Sequence, residues 1–481
     1  MRPFFYPRAI AVVGVSQDTW KFGSATLIAI QRFAGSRLPV YPVSPRITEF
    51  QGQKVYSSIA ELPAEVDLVI VCLPAALVPD AVRQCIQKGI PAVEVPSGGF
   101  REVGTEEGRR LEAELASLAG KGTRIIGPNC FGVYSPGGSL TILPGADYPQ
   151  KAGSVGFFAQ SGAITEDFCS LSQDYSFHIS QAVSYGNASD VNEFDMANYF
   201  LADSRTTIAA AYMEGLKSGH AYFETIKELA AKKPTIILKG GLTAGGAKAA
   251  ASHTGSLAGN DKIWEAFFKQ TGAVQVYGME ELLDTISAFT YLPPVKDSTV
   301  AVVCGGGGPG VIASDACSRA GLTLGKFNEK TLSKLASILP PTGASPHNPV
   351  DCDNPFPRTQ MLNDIMETLG ASGDVGSIVL DKITLSVTTR KLLGYDMQVG
   401  WKDEPWLEEI PVNIRRKYNI PLVVVLRDGG EPLEKLAMET ERRRLRKYYQ
   451  ENGIPVYSTV QRAAGALGHV VSYYRNVEAV K

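Results

Sequence analysis

The chain has 481 residues, enough for roughly three ordinary domains and several sizeable cores. Hydrophobic residues make up 44%, charged residues 20%, and the formal net charge is −2, so no overall basic field points to nucleic acid. Seven scattered cysteines without a CxxC pair argue for reduced thiols in a cytosol and against a zinc site.

The N-terminal residues run straight into a strand pattern, without the apolar core and cleavage site of a signal peptide. No apolar run approaches the roughly 20 residues of a membrane span, so a cytoplasmic protein is expected. Strands are predicted over residues 9–13, 39–43, 67–72, 92–95 and 124–126, alternating with helical stretches. That alternation is the pattern of a parallel, doubly wound sheet. A Gly/Pro-rich connection from Ser135 to Lys151 precedes a second series, with strands over 154–158, 208–213 and 234–238 and a helix around 279–291. After the linker Leu292-Pro293-Pro294-Val295-Lys296-Asp297, a third series shows strands over 299–303, 377–380 and 421–426 and a helix over 311–320. Domains are therefore expected over 1–147, 148–292 and 298–481. The densest basic run, Arg442 to Lys447, follows Glu434, Glu439 and Glu441 in a predicted helix and reads as a salt-bridged solvent face.

Strand ends are where open α/β sheets bind ligands, and the candidates sit there. The loop Gly14-Val15-Ser16-Gln17-Asp18-Thr19-Trp20-Lys21-Phe22-Gly23 follows the first strand and leads into a helix, whose N-terminus is suited to phosphate. It lacks the compact GxGxxG spacing of a dinucleotide fingerprint, which leaves another phosphorylated nucleotide ligand. Pro45 and Arg46, Leu73-Pro74 and Ser97-Gly98-Gly99-Phe100 occupy further strand ends, where ordinary turn chemistry is the alternative. Gln160-Ser161-Gly162-Ala163 and the glycine run 305–310, with Gly307 and Gly308, offer two more helix starts for phosphate. Glu214 closes an apolar strand, where a carboxylate orients an imidazole or simply binds loop amides. The loop after the 234–238 strand, KGGLTAGGAKAAASHTGSLAG, holds His253 among glycines, alanines and hydroxyl residues. Such a histidine is open to close approach by an anion and to covalent phosphorylation; a loop histidine bonded to a carbonyl or water is the alternative.

Taken in order, these segments resemble the α subunit of NDP-forming acyl-CoA synthetases in the succinyl-CoA synthetase superfamily. The resemblance covers nearly the whole chain. It is carried by residues 14–23, 41–46, 97–104, Gly127-Pro128-Asn129-Cys130-Phe131-Gly132, 160–163, Tyr185-Gly186-Asn187-Ala188, Glu214, Ser252-His253-Thr254-Gly255, 307–310 and Asn348-Pro349-Val350-Asp351. It implies a Rossmann-like coenzyme A-binding domain followed by two flavodoxin-like, succinyl-CoA synthetase-like domains. Coenzyme A is expected at Gly14, Ser16, Lys21, Gly23, Pro45, Arg46, Pro74, Ser97, Gly98 and Asn129. Phosphate is expected at Gln160, Ser161, Gly162, Gly307 and Gly308, with His253 as phosphohistidine, Glu214 holding its imidazole and Cys130 structural. The implied reaction is acyl-CoA + phosphate + NDP = carboxylic acid + CoA + NTP, through an acyl phosphate. The three segments leave no room for an ATP-grasp module, so a separate β subunit, in an α2β2 assembly, is expected to carry Mg2+ with ATP/ADP or GTP/GDP. Two departures stand out: Arg46 where lysine is frequent, and Cys304-Gly305-Gly306 as the lead into the third glycine loop. A CoA-dependent acyltransferase or phosphate acyltransferase without nucleotide chemistry, or a CoA-binding regulatory protein, are the alternative readings.

Overall fold

The computed structural model describes residues 1–141, 148–217, 219–243, 245–246, 248, 261–353, 359–382, 408–427 and 436–479. The chain divides into two compact bodies, Met1–Leu282 and Leu283–Lys481. The first body holds two of the three large sheets and the second holds one.

The first sheet contains β1 (Ile10–Val13), β2 (Val40–Val43), β5 (Leu68–Val71), β6 (Ala92–Glu94) and β7 (Arg124–Ile126), in the order β2-β1-β5-β6-β7 and all parallel. A two-stranded ribbon, β3 (Glu49–Phe50) with β4 (Gln53–Lys54), stands apart. Strands β1 and β5 are buried along their whole length, which is why they read as unbroken apolar runs: helices cover both faces of a parallel sheet. Local signals set the helix ends. Thr105 caps the helix Glu106–Leu118 by accepting from the Gly108 amide, and Gly89 closes Val78–Lys88 in the left-handed conformation.

The second sheet runs β14 (Val274–Val276), β13 (Thr235–Lys239), β12 (Ile208–Met213), β10 (Val155–Ala159), β11 (Ile179–Ser184), β8 (Gly132–Ser135) and β9 (Leu140–Thr141). Its five long-sequence strands β10 to β14 are parallel, while the β8–β9 hairpin pairs antiparallel with the edge strand β11. The second sheet thus begins at Gly132, upstream of residue 148, and the hairpin covers an edge that would otherwise expose unpaired backbone groups. One apolar core reaches from Phe4, Phe5 and Ile10 to Phe158, Met196 and Phe200, so both sheets share it. Phe5 stacks on Tyr199 at 4.4 Å, and Arg124 at the start of β7 pairs with Asp190 at 2.9 Å and Asp195 at 3.1 Å.

In the second body the order is β16 (Thr323–Leu324), β15 (Thr299–Cys304), β18 (Ser377–Lys382), β19 (Leu422–Leu426) and β20 (Val456–Tyr457), with β17 (Val350–Asp351) also on β15. Numbering the principal parallel strands of each sheet from its own start gives 2-1-3-4-5 all three times, the flavodoxin-like order. The basic helix Leu436–Glu451 carries expected ion pairs, Arg442 and Arg443 to Glu439 and Arg444 to Glu441; Arg444 also pairs with Glu408, which the sequence did not single out, and Glu434 lies outside the described residues. Arg442 departs from the solvent-face expectation, being buried beneath its pair with Glu439. Among the described residues no helix is long and apolar enough to cross a membrane.

Candidate active site

Because the strands of the first sheet are parallel, the ten candidate coenzyme A residues share its C-terminal edge. The order reverses between β1 and β5, and the crevice belongs there. Gly14 makes it: at φ +100° its backbone lies so close to β5 that a Cβ would stand 2.3 Å from the Cys72 carbonyl oxygen. A Cβ on Gly23 would stand 2.6 Å from the Gly14 oxygen, so the helix Phe22–Ala34 packs directly on the loop. The Gly14 amide donates to Val43 O at 3.0 Å, tying the loop to the end of β2, where Pro45 and Arg46 are exposed. Ser16 is occupied within its own loop: its amide donates to Ser24 Oγ at 3.0 Å and its hydroxyl to Asp18 O at 3.3 Å. Lys21 is exposed at the N-cap of Phe22–Ala34, which no side chain caps. Its first amides therefore face an edge with Lys21 and Arg46, a fit for the phosphates of coenzyme A.

The other half of this edge is equally organised. Asn129, at φ 56°, donates its amide to Ser97 O at 2.9 Å, and a Cβ on Gly98 would lie 3.6 Å from Asn129 Oδ1, so Ser97, Gly98 and Asn129 form one cluster. Pro74 is exposed in the adjacent loop. Glu102 Oε1 accepts from the Gly99 and Phe100 amides at 2.6 and 3.1 Å; partial burial pushes its carboxyl up, but the Asn187 side-chain amide first and these backbone amides next outweigh that and hold it below the usual range. Asn187, from the loop after β11, donates to Glu102 at 2.7 Å and Glu112 at 2.8 Å and receives the Asn129 amide at 3.3 Å. Lys217 reaches the Asn187 carbonyl at 2.6 Å, and burial lowers its pKa. This polar bridge joins the edges of both sheets in the first body. Glu102 and Asn187 carried part of the resemblance but, like Glu112 and Lys217, had no assigned site role in the sequence, because only the fold brings these polar groups together.

At the second sheet, Gln160 and Ser161 follow β10. Ser161 caps the helix Gly162–Leu171, its Oγ accepting from Ile164 N at 3.3 Å. A Cβ on Gly162 would come within 2.9 Å of the Phe131 ring, so glycine is needed where the Asn129 segment packs on this helix start. Glu214 follows β12 and is buried, 6% exposed, with Tyr212 Oη donating to its Oε1 at 3.1 Å. Burial, then the nearby Glu214, raises the Tyr212 pKa. Gln160 Oε1 accepts from the Glu214 amide at 2.7 Å and the Gly215 amide at 3.1 Å. Lys239, the last residue of β13, is 4% exposed; its Nζ donates to Glu214 O at 2.9 Å and lies 5.0 Å over the Trp264 ring. Burial lowers its pKa, and Glu214 and Asp261 oppose that. The sequence signal for Lys239 was a single charge closing an apolar strand. His253, on the loop that Lys239 opens, lies outside the described residues.

Gly307 and Gly308 start the helix Gly307–Arg319 in the second body, entered through Gly306 at φ +129° and without a side-chain cap. Gly307 lies beside Asp351, 3.6 Å from a Cβ position to Oδ2. Burial pushes the Cys304 thiol up to about 12, so the departure at this loop is an inert thiol at neutral pH. Cys130 is buried with a raised pKa for the same reason, as expected of a structural cysteine.

Two family models match: CoA binding domain over residues 8–136, and succinyl-CoA ligase like flavodoxin domain over residues 152–289. The acetate–CoA ligase [ADP-forming] I subunit alpha of Pyrococcus furiosus is 35% identical over 97% of this chain and 96% of its own length, and its II subunit alpha is 41% identical over 72% and 75%. The chain belongs to the NDP-forming acyl-CoA synthetase family. It spans 48% of the acetate–CoA ligase [ADP-forming] of Methanocaldococcus jannaschii, to which it is 37% identical. The dinucleotide forming acetyl-coenzyme A synthetase 1 of Ca. Korarchaeum cryptofilum, solved in complex with phosphate and ADP, superposes with a TM-score of 0.84 at 28% identity, covering 100% of this chain and 98% of the other. The α/β architecture and the CoA-binding domain of the synthetase family are thus those expected from the sequence.

Proposed function

We propose that the protein is the α subunit of an NDP-forming acyl-CoA synthetase that interconverts acyl-CoA, phosphate and NDP with carboxylic acid, CoA and NTP. The observation that carries this reading is the union, in one compact body, of a glycine-shaped CoA edge with a strand end that presents a buried glutamate held by a buried lysine. Phosphate attacks the thioester carbonyl, forming a C–O bond while the C–S bond breaks and the thiolate leaves. Imidazole nitrogen of His253 then takes the phosphoryl group, and the acyl oxygen departs as carboxylate with the bonding electrons. Glu214 orients the imidazole and balances its positive charge. Amides at the Ser161 helix start stabilise the charge of the transferring group. Discharge to NDP requires a nucleotide site, which we assign to an ATP-grasp β subunit in an α2β2 assembly, where Mg2+ would accompany the nucleotide and offset its phosphate charge. The names of the two Pyrococcus furiosus relatives as α subunits support a partner.

Incubation with acetyl-CoA and radiolabelled phosphate is expected to leave an acid-labile, alkali-stable label on the wild-type chain and none on His253→Ala. Equal labelling of the two, or no label in the wild type with the partner subunit present, refutes the phosphohistidine.

A further inference from the structure

The peptide of Glu214 is held from both sides. Strand β12 lies between β10 and β13, and each neighbour sends one side chain across its end. From the β10 side, Gln160 Oε1 accepts both the Glu214 and Gly215 amides. From the β13 side, the Lys239 ammonium donates to the Glu214 carbonyl at 2.9 Å and to the Gly240 carbonyl. Burying an ammonium costs several kcal/mol unless its protons are bonded, so the two carbonyls and the face of Trp264 are conditions for Lys239 being there. The first glycine after β13 completes the arrangement: a Cβ on Gly240 would stand 2.7 Å from the Tyr212 hydroxyl, the group that donates to the Glu214 carboxylate. Three strand ends therefore fix the main chain and the carboxylate of one residue.

The geometry points to Gln160 and Lys239 as positioning residues that act through Glu214, with Gln160 serving as a hydrogen-bond acceptor for the loop and not as a phosphate ligand. This deepens the phosphohistidine reading and rests on it for its catalytic consequence. The carboxamide has two ends with opposite chemistry, which makes the roles separable. An acceptor role needs only an oxygen, which glutamate retains. A phosphate-binding role needs the NH2 donors, and glutamate would replace them with a negative charge facing an anion.

The test combines labelling by acetyl-CoA and radiolabelled phosphate with amide hydrogen exchange of residues 214 and 215 in the full chain. Gln160→Leu is expected to speed exchange at both amides and to slow labelling on the order of tenfold to a hundredfold, the scale of a small misplacement in an active site. Lys239→Met is expected to slow labelling similarly. In both, the acetyl-CoA concentration giving half-maximal labelling stays at the wild-type value, a split that general loss of folding would not produce. Gln160→Glu is expected to keep both the exchange protection and labelling within about threefold of wild type, as rescue by a shared acceptor oxygen. Wild-type labelling in Gln160→Leu overturns the proposal, and so does protected but unlabelled Gln160→Glu, which would make Gln160 an anion donor. If the wild type itself takes no label, the phosphohistidine reading fails separately; unchanged exchange in Gln160→Leu then overturns the positioning role.

Discussion

Glu94, the last residue of β6, is 0% exposed, and neither carboxylate oxygen has a hydrogen-bond partner among the described residues. The Val133 amide faces it outside hydrogen-bonding geometry and offsets only part of the burial, which pushes its pKa from 4.5 up to about 8. In the unfolded chain it ionises near its ordinary value. Between about pH 4.5 and pH 8 the unfolded state therefore binds fewer protons than the folded state, and stability falls as pH rises, levelling off above pH 8. At about 1.36 kcal/mol for each tenfold change, the whole span is worth up to about 5 kcal/mol, of which about 4 kcal/mol falls between pH 5 and pH 9. The neighbouring thiols of Cys72 and Cys130 are themselves raised by burial, to about 12 for Cys72, so they stay neutral throughout. Glu94→Gln keeps the shape and removes the titration. Urea unfolding of wild type and variant from pH 5 to pH 9 is expected to give similar stabilities at pH 5 and a variant increasingly more stable toward pH 9. Curves that run parallel across the range would refute the buried, unpartnered carboxyl.

Gly14→Ala should weaken CoA binding at least tenfold in calorimetry and lower the unfolding midpoint, since a Cβ at 2.3 Å from a carbonyl oxygen and φ +100° force the loop off β5. Glu214→Gln should reduce phosphohistidine labelling on the order of a hundredfold while leaving CoA binding at the first sheet unchanged; parallel losses in both would refute its confinement to the second strand end. Asn192 accepts from the Phe194 and Asp195 amides in a capping box, so Asn192→Ala should cost about 1 kcal/mol in chemical denaturation with labelling at the wild-type rate.

The principal strands were legible in the sequence wherever a parallel sheet buries both faces, as in Ile208–Met213 and Leu422–Leu426. Strand β11 was not, because Ser180, Gln181 and Ser184 break its apolar run yet are fully buried. Their partners are distant in sequence: Thr206 for Ser180 at 2.8 Å, Tyr6 for Gln181 at 2.8 Å, and the Phe131 amide for Ser184 at 3.2 Å. The same reason hid the second half of the site. Glycine loops at strand ends announce Gly14 and Gly98, whereas Gln160 reads as part of a phosphate loop, and its hold on the Glu214 and Gly215 amides emerges only when β10, β12 and β13 are side by side. Glu94 reads as an ordinary strand-end glutamate, and only the packing of β6 against its neighbours removes its water.

The core shared by the first two sheets has a consequence for dissecting this protein. Phe5 stacks on Tyr199, the Tyr6 hydroxyl receives Gln181, and β8 and β9 complete a sheet whose remaining strands come later in the chain. A fragment cut after the CoA-binding half would carry away a hairpin that belongs to its neighbour and expose the aromatic underside of its own first residues. The two halves are one cooperative unit in the sense of melting: heating should unfold residues 1–282 in a single step, with neither half surviving the other.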